Sequence, residues 1–169
     1  WARWRRPLLE ALVLLALVVG IRAWQARTLR RGAVAPTTLA DVDRRPLTLG
    51  GAHPRPRLLW FFASWCTVCR ATEHNIRAVA RDAEVVAVAS ESGDEEAVRA
   101  FVQARGLAAP NVRVVADPRG ALARRFGVRA FPTAFVLGAD GSIGSSEVGF
   151  TSELGLRARL WMAGLSQAR

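Results

Sequence analysis

The only two cysteines of the chain, Cys66 and Cys69, have two residues between them and closely follow a continuous apolar run. That run, Leu58–Phe62, contains no polar residue, which is typical of a strand buried on both faces. Beyond the cysteines, apolar side chains recur at helical spacing, at Ile76 and Val79. The pattern predicts a buried strand, a short turn and a helix that begins at the cysteine pair.

Two thiols at this spacing can form and break one disulfide. Free backbone N–H groups at the start of a helix, together with the helix dipole, favour an anion, so we expect the pKa of Cys66 to lie below that of free cysteine. Cys69 follows one turn later, on the same side and deeper. It can attack a mixed disulfide on Cys66 and release the substrate. These positions predict Cys66 as the attacking thiol and Cys69 as the resolving thiol.

Other uses of the cysteine pair are less favoured by the sequence. A disulfide between Cys66 and Cys69 closes too small a loop to constrain an unfolded chain much, which argues against a purely structural bond. A zinc site needs four ligands, and His53 and His74 are the only histidines. Two thiolates alone can bind Cu(I), so a copper-handling module remains the alternative function. We expect no cofactor and no resident metal.

The rest of the chain alternates between strand-like and helix-like patterns, which favours an α/β fold with a mixed central sheet flanked by helices. Further strands are predicted at Val85–Val88, Val112–Val115, Thr133–Leu137 and Ile143–Val148, and further helices at Asp94–Arg105, at Ala121–Phe126 and from a Ser152 cap toward Met162. Residues 139–141 (Ala-Asp-Gly) are predicted to form the turn of a hairpin.

An apolar stretch, Leu8–Trp24, precedes this pattern. As a helix, its seventeen residues would span about 25 Å, close to the thickness of the hydrocarbon core. Trp4 and Trp24 flank it as interfacial anchors, and Glu10 can pair with Arg6 near the headgroups. We favour a single uncleaved transmembrane helix. A cleaved secretory signal and a buried core helix are the alternatives.

These observations divide the chain into three parts: a basic segment with the anchor (residues 1–31), a linker with a short hairpin between Leu39 and Leu49 (residues 32–56), and the α/β domain (residues 57–169). The net charge is +10. The arginines of the domain are scattered beside acidic residues rather than clustered with aromatic ones, so we expect no nucleic-acid partner. Arginines flank the apolar stretch on both sides, and charge alone does not set its orientation.

The motif Phe61–Cys69 (FFASWCTVC), followed by Val128–Thr133 (VRAFPT), closely resembles the thioredoxin superfamily. The region from Arg31 onward resembles its membrane-tethered TlpA/ResA/DsbE branch, with the nearest likeness to suppressor-for-copper-sensitivity D (ScsD) proteins. The resemblance implies a thioredoxin-like fold and a thiol–disulfide oxidoreductase anchored in the bacterial inner membrane by one span. Its catalytic domain would lie in the periplasm, act on protein thiols or disulfides and receive electrons from a membrane donor.

By the same resemblance, Pro132 is a cis-proline beside the disulfide, and Phe131 and Trp65 belong to the substrate-binding surface. Several positions depart from the family pattern. Trp60 stands where thioredoxins carry a buried aspartate, and Ala63 stands where thioredoxin-fold peroxidases carry threonine, which disfavours a peroxidase.

The proton acceptor for Cys69 is also unassigned. Relatives of the cytochrome-maturation type carry a glutamate where this chain has Thr72, and His74 replaces the usual helix-kinking proline. Glu73 lies four residues from Cys69 and is a candidate acceptor, but a solvated carboxylate is the favoured interpretation. The two histidines are interpreted as surface residues.

Overall fold

The computed structural model describes residues 2–166, without the side chains of residues 2–6, Arg22 and Ala26. The contacts predicted for Trp4 and Arg6 therefore lie outside the described residues. In chain order the elements are α1 (Ala2–Ala26), β1 (Gly32–Ala33), β2 (Thr37–Ala40), β3 (Pro46–Leu49), β4 (Arg57–Phe62), α2 (Thr67–Val79), β5 (Val85–Ser90), α3 (Glu95–Ala104), β6 (Val112–Asp117), α4 (Ala121–Arg125), β7 (Thr133–Leu137), β8 (Ser142–Val148) and α5 (Glu153–Leu165).

Six strands form one mixed sheet in the order β1-β8-β7-β4-β5-β6. The strands β4, β5 and β6 are parallel, whereas β7, β8 and β1 are added antiparallel on the other side of β4. The predicted α/β fold with a mixed sheet is confirmed. Because β4 lies in the middle of the sheet, the residues that follow it lie at the centre of one end of the sheet, where the parallel strands terminate.

The continuous apolar strands are buried on both faces, as the sequence predicts. Along β4, Trp60 and Phe62 point into one core with α2, α3 and α5, whereas Leu59 and Phe61 point into a second core with α4. This alternation follows from the two-residue period of a strand. The side chains of two cores therefore hold β4 in place beneath the cysteine pair.

Local capping signals set the ends of several helices. The Asp94 carboxylate accepts a hydrogen bond from Ala97 N at 2.9 Å, and the Ser152 hydroxyl accepts one from Gly155 N at 3.2 Å. Both are N-caps, which satisfy backbone donors that the helix itself leaves free. The predicted starts of α3 and α5 are therefore confirmed.

The segment 32–56 contains the predicted hairpin, in which β2 pairs with β3 from Thr37–Leu49 to Ala40–Pro46. More of this segment is built into the domain than a linker would be. Leu47 and Leu49 are buried in the second core, and β1 adds a strand to the edge of the main sheet. The glycines and prolines here mark turns within the folded unit rather than a loose connection.

The helix α1 contains one stretch, Pro7–Gln25, that is long and apolar enough to cross a membrane, with a mean hydropathy of 1.9 and no residue of the window buried. Leu8–Trp24 falls within it. A helix of this kind near an N-terminus also fits a signal sequence. The structure thus contains a candidate membrane span.

Candidate redox site

Cys66 and Cys69 form a disulfide at the start of α2, with their Cα atoms 5.2 Å apart. Cys66 is the N-cap of the helix, and its sulfur accepts a hydrogen bond from Cys69 N at 3.2 Å. The exposed fractions are 7% for Cys66 and 1% for Cys69. The sulfur nearer to solvent is therefore the one at the helix N-terminus.

The local electrostatics favour negative charge on the Cys66 sulfur. The helix α2 is thirteen residues long, has no acidic residue in its first turn and carries Arg77 in its last turn. The aligned peptide dipoles place partial positive charge at the N-terminus, where the sulfur sits. In the reduced protein, the Cys69 N–H can continue to donate to a Cys66 thiolate.

A second loop faces the disulfide. The Phe131–Pro132 peptide bond is cis, and the Phe131 carbonyl oxygen lies 3.5 Å from the Cys66 sulfur. The sulfur in the disulfide carries no proton, so this is a contact and not a hydrogen bond. The loop is held on both sides: Gly149 N donates to the Pro132 oxygen at 2.7 Å, and the Thr133 hydroxyl donates to the Ala130 oxygen at 2.8 Å.

Trp65 lies on the surface beside the disulfide and is 60% exposed. Its indole N–H donates to the backbone carbonyl oxygen of Glu91 at 3.1 Å, and its ring meets the Phe131 ring edge-on, with the centroids 6.0 Å apart. Val68 and Phe150 are also exposed at this edge of the sheet. We call Trp65, Val68 and Phe150 the apolar rim, and it offers a contact surface for an apolar partner.

Trp60 fills the space beneath the site, where thioredoxins carry an aspartate. It is 1% exposed, and its ring stacks on Phe62 with centroids 4.4 Å apart. The Thr72 hydroxyl is also satisfied locally, since it donates to the Cys69 carbonyl oxygen at 2.7 Å. Neither position supplies a carboxylate to Cys69.

The expectation that Glu73 is solvated is wrong. Glu73 is 2% exposed, and its Oε2 accepts hydrogen bonds from Arg105 Nε at 3.0 Å and Nη2 at 2.7 Å. A buried carboxylate requires a partner of this kind because its desolvation is costly. Sequence reasoning missed the pair because its members are thirty-two positions apart in the chain, which leaves no local signal. The carboxylate that was a candidate proton acceptor is thus engaged by an arginine.

Neither histidine makes a hydrogen bond or an ion pair with the cysteines in the described part of the chain. His74 is exposed on α2, as expected. His53 Nε2 lies 3.0 Å from the Glu84 carboxylate, near the start of β5 and at the end of the sheet opposite the disulfide. Both residues line two surface cavities there, of about 400 and 330 Å³. Within residues 2–166, no group of three or more His, Cys, Asp or Glu side chains is placed to hold a metal.

The site thus consists of a disulfide at the start of a helix, directly after a central strand and facing a cis-proline loop. Together with the mixed sheet, this arrangement defines a thioredoxin-like thiol–disulfide oxidoreductase with a CxxC redox centre.

Comparisons with known proteins agree with this class. The Redoxin family model matches residues 30–157. A "Thioredoxin-like protein" of Haemophilus influenzae is 34% identical over 128 residues, covering 75% of this chain and 74% of its own length. The "Thiol:disulfide interchange protein CycY" of Rhizobium leguminosarum bv. viciae is 31% identical over 101 residues, which is 59% of this chain and 53% of that protein.

Among solved structures, the exposed lipoprotein thioredoxin Etrx1 of Streptococcus pneumoniae superposes with a TM-score of 0.65 at 26% identity, covering 76% of this chain and 99% of that one. The chain belongs to the Redoxin family. The matched residues begin next to β1 and include both cysteines and the cis-proline loop.

Proposed function

We propose that this chain is a membrane-anchored thiol–disulfide oxidoreductase of the DsbE type, of ScsD-like character, that exchanges disulfides with protein thiols in the periplasm. One observation carries the proposal. The Cys66–Cys69 disulfide lies at the start of α2, at the end of the sheet where β4 terminates. The Phe131 carbonyl oxygen is 3.5 Å from the sulfur of Cys66, the more exposed cysteine. A substrate sulfur can approach that position from solvent.

The exchange proceeds in two balanced steps. In the reduced protein, the Cys66 thiolate attacks a substrate disulfide, and one substrate sulfur leaves as a thiolate that takes up a proton. Cys69 then loses its proton and attacks the Cys66 sulfur of the mixed disulfide, which releases the second substrate sulfur. The substrate gains two electrons and two protons, and the Cys66–Cys69 disulfide forms. The reverse sequence oxidises a substrate dithiol.

The surrounding residues position the substrate. Trp65, Phe131 and Pro132 border the exposed sulfur, and an extended chain can lie across this edge with backbone hydrogen bonds to the loop before β7. The Cys69 sulfur is too deeply buried for a folded protein to reach directly. In this role Cys69 reacts only with the mixed disulfide that Cys66 presents to it.

The proposed location follows from α1. We place a single-pass anchor at about residues 8–24 in the bacterial inner membrane and the folded domain in the periplasm, where disulfides persist. The apolar window Pro7–Gln25 supports the anchor. The relative named as a thiol:disulfide interchange protein supports exchange with protein partners. A membrane electron donor would return the disulfide to the dithiol in a reductive cycle.

Trapping tests the exchange directly. In Cys69→Ser, a partner captured on Cys66 cannot be released, so mixed disulfides should accumulate in cells and disappear on treatment with reductant. The matched Cys66→Ser protein should capture none. Absence of mixed disulfides in both variants would contradict exchange with proteins. A periplasm-dependent reporter fused after Arg169 tests the location, and activity of a cytoplasmic reporter alone would overturn it.

A further inference from the structure

The chain is fixed to the folded domain immediately after its apolar helix. We call Thr28–Arg30 the junction. Leu29 is 5% exposed and packs in the second core. Arg30 N donates to the Phe126 oxygen at 2.9 Å, and the Arg30 guanidinium lies 5.9 Å from the centre of the Phe126 ring. A flexible tether would show neither burial nor these bonds.

Thr28 links the end of the helix to the domain through one side chain. Its hydroxyl oxygen lies 3.1 Å from the Gln25 carbonyl oxygen in α1 and 3.0 Å from the Gly127 carbonyl oxygen. Gly127 has a φ of +70°, and a Cβ added there would lie 1.8 Å from the backbone carbonyl oxygen of Thr28. Only glycine permits this approach of the two backbones.

The strand β1, which follows the junction closely in the chain, shows from which end of the sheet the chain enters the domain. Gly32 pairs with Ile143 on β8, and because the two strands are antiparallel, the chain before Gly32 comes from the direction of Val148. Val148 pairs with Thr133, the residue after the cis-proline. The chain therefore enters β1 from the end of the sheet at which the redox site lies.

The short segment between the apolar helix and Leu29 limits how far the folded domain can lie from a membrane. Only three residues separate Gln25, the last residue of the apolar window, from the buried Leu29. Four Cα–Cα steps span at most about 14 Å when fully extended. The headgroup layer on one side of a bilayer is roughly 5–8 Å thick. A domain attached in this way sits against the headgroups once α1 spans the bilayer.

The side chains near the junction and the redox site suit such a position. Arg27 and Arg31 are exposed on either side of the junction, where they can contact lipid phosphates. The apolar rim contains Trp65 and Phe150, which are 60% and 49% exposed. Exposed aromatic residues of this kind are favoured at the boundary between membrane and water.

We infer that the junction is a rigid strap that holds the Cys66–Cys69 disulfide at the membrane surface, so that this oxidoreductase selects partners whose thiols are presented there by a membrane anchor. This inference rests on the proposed function, including its membrane anchor. It makes Thr28, Leu29 and Gly127 positioning residues that set which substrates reach Cys66, without touching the reacting sulfurs.

The test uses the full chain in vesicles of phosphatidylethanolamine and phosphatidylglycerol. The probes are two disulfide peptides of the same sequence, each attached to the vesicles by a palmitoyl chain, one through a short spacer and one through a long flexible spacer. We expect the unmodified chain to react at least about tenfold faster with the short-spacer peptide, because effective concentration falls steeply with tether length. A flexible insert of about twelve Gly and Ser residues between Arg27 and Thr28 should reduce this preference to about twofold.

Substitutions at Thr28 provide a matched comparison. Thr28→Val removes the hydroxyl that bridges the helix and the domain and should weaken the short-spacer preference, whereas Thr28→Ser should retain it. An equal preference in the unmodified chain and the insertion variant would overturn the inference. Exchange with free dithiothreitol should be the same in all of these proteins. Loss of that exchange in the unmodified chain, or failure of the chain to float with vesicles, would instead contradict the proposed function.

Discussion

The sulfur of Cys66 lies 3.5 Å from the carbonyl oxygen of Phe131, although the two residues are sixty-five positions apart in the chain. The antiparallel pairing of β4 with β7 brings them together, since Phe61 is opposite Thr133 in the register. The two motifs that carry the family resemblance, Phe61–Cys69 and Val128–Thr133, therefore meet at the same end of the sheet. The contact places the more exposed of the two cysteines beside the loop that would align a substrate chain.

The buried pair between Glu73 and Arg105 predicts an asymmetric response to mutation. Arg105→Ala leaves a carboxylate that is 2% exposed without its partner and should destabilise the protein by about 3 kcal/mol. Glu73→Gln leaves a neutral group that still accepts a hydrogen bond, and should cost about 1 kcal/mol. Urea unfolding of both variants in detergent micelles measures the difference. Equal losses would contradict a buried ionised Glu73.

Trp60 is expected to contribute to stability in place of the acidic residue of thioredoxins. Trp60→Ala removes a fully buried ring that stacks on Phe62 and should lower the free energy of unfolding by about 3–5 kcal/mol. Trp161 is 67% exposed on α5, so Trp161→Ala should change that free energy by less than about 0.5 kcal/mol. If the two substitutions cost the same, the packing described for β4 is incorrect.

Asp41 predicts a defined loss of stability in acid. Burial raises the pKa of Asp41, but hydrogen bonds from Arg45 N, the Arg113 guanidinium and Asp43 N outweigh it and hold the pKa below its ordinary value. A carboxylate with a lowered pKa stabilises the folded state above its unfolded pKa of about 3.9, and that contribution is lost as the pH falls through the folded value.

The isosteric variant Asp41→Asn isolates this charge. Its free energy of unfolding should lie about 1 kcal/mol below that of the unmodified protein near neutral pH, and the gap should narrow as the pH falls below the ordinary carboxyl range and Asp41 becomes protonated. Urea unfolding at a series of pH values measures both curves. A gap that stays constant into acid would show that the ionised form of Asp41 makes no contribution.

Copper binding separates the leading function from its alternative. Two thiolates can hold Cu(I), so the reduced chain should bind it through Cys66 and lose that binding in Cys66→Ser. An oxidoreductase should nevertheless exchange with a model dithiol in the absence of copper. A Cu(I) titration alongside a dithiol exchange assay distinguishes the two. Tight copper binding without exchange would favour the copper-handling module.

Much of the fold follows from short-range pattern. The strand predicted at Thr133–Leu137 has the same bounds in the structure, and the starts of α3 and α5 follow from Asp94 and Ser152. These features depend on residues within a few positions of each other, where strand period and helix capping act. The two cysteines also belong to this class, because their spacing and the preceding apolar run identify them locally.

The features that the sequence did not predict depend on distant residues. Glu73 meets Arg105 across thirty-two positions, and Thr28 meets Gly127 across ninety-nine. Glu73 lies among polar residues of α2, a composition that is also typical of an exposed helix face. Only the contact with Arg105 in the folded protein explains why Glu73 is buried. The junction lies next to a stretch rich in glycine and proline, a composition that also fits a loose linker.

We propose that disulfide exchange begins at the sulfur of Cys66 and that Cys69 is shielded until a mixed disulfide forms. The most direct measurement is the rate at which iodoacetamide alkylates each cysteine of the reduced protein, followed by peptide mapping. We predict that Cys66 is labelled at least about tenfold faster than Cys69 and faster than free cysteine at the same pH, because it is the more exposed sulfur at a helix N-terminus. Labelling of Cys69 first, or labelling of Cys66 no faster than free cysteine, would contradict the assignment of Cys66 as the sulfur at which exchange begins.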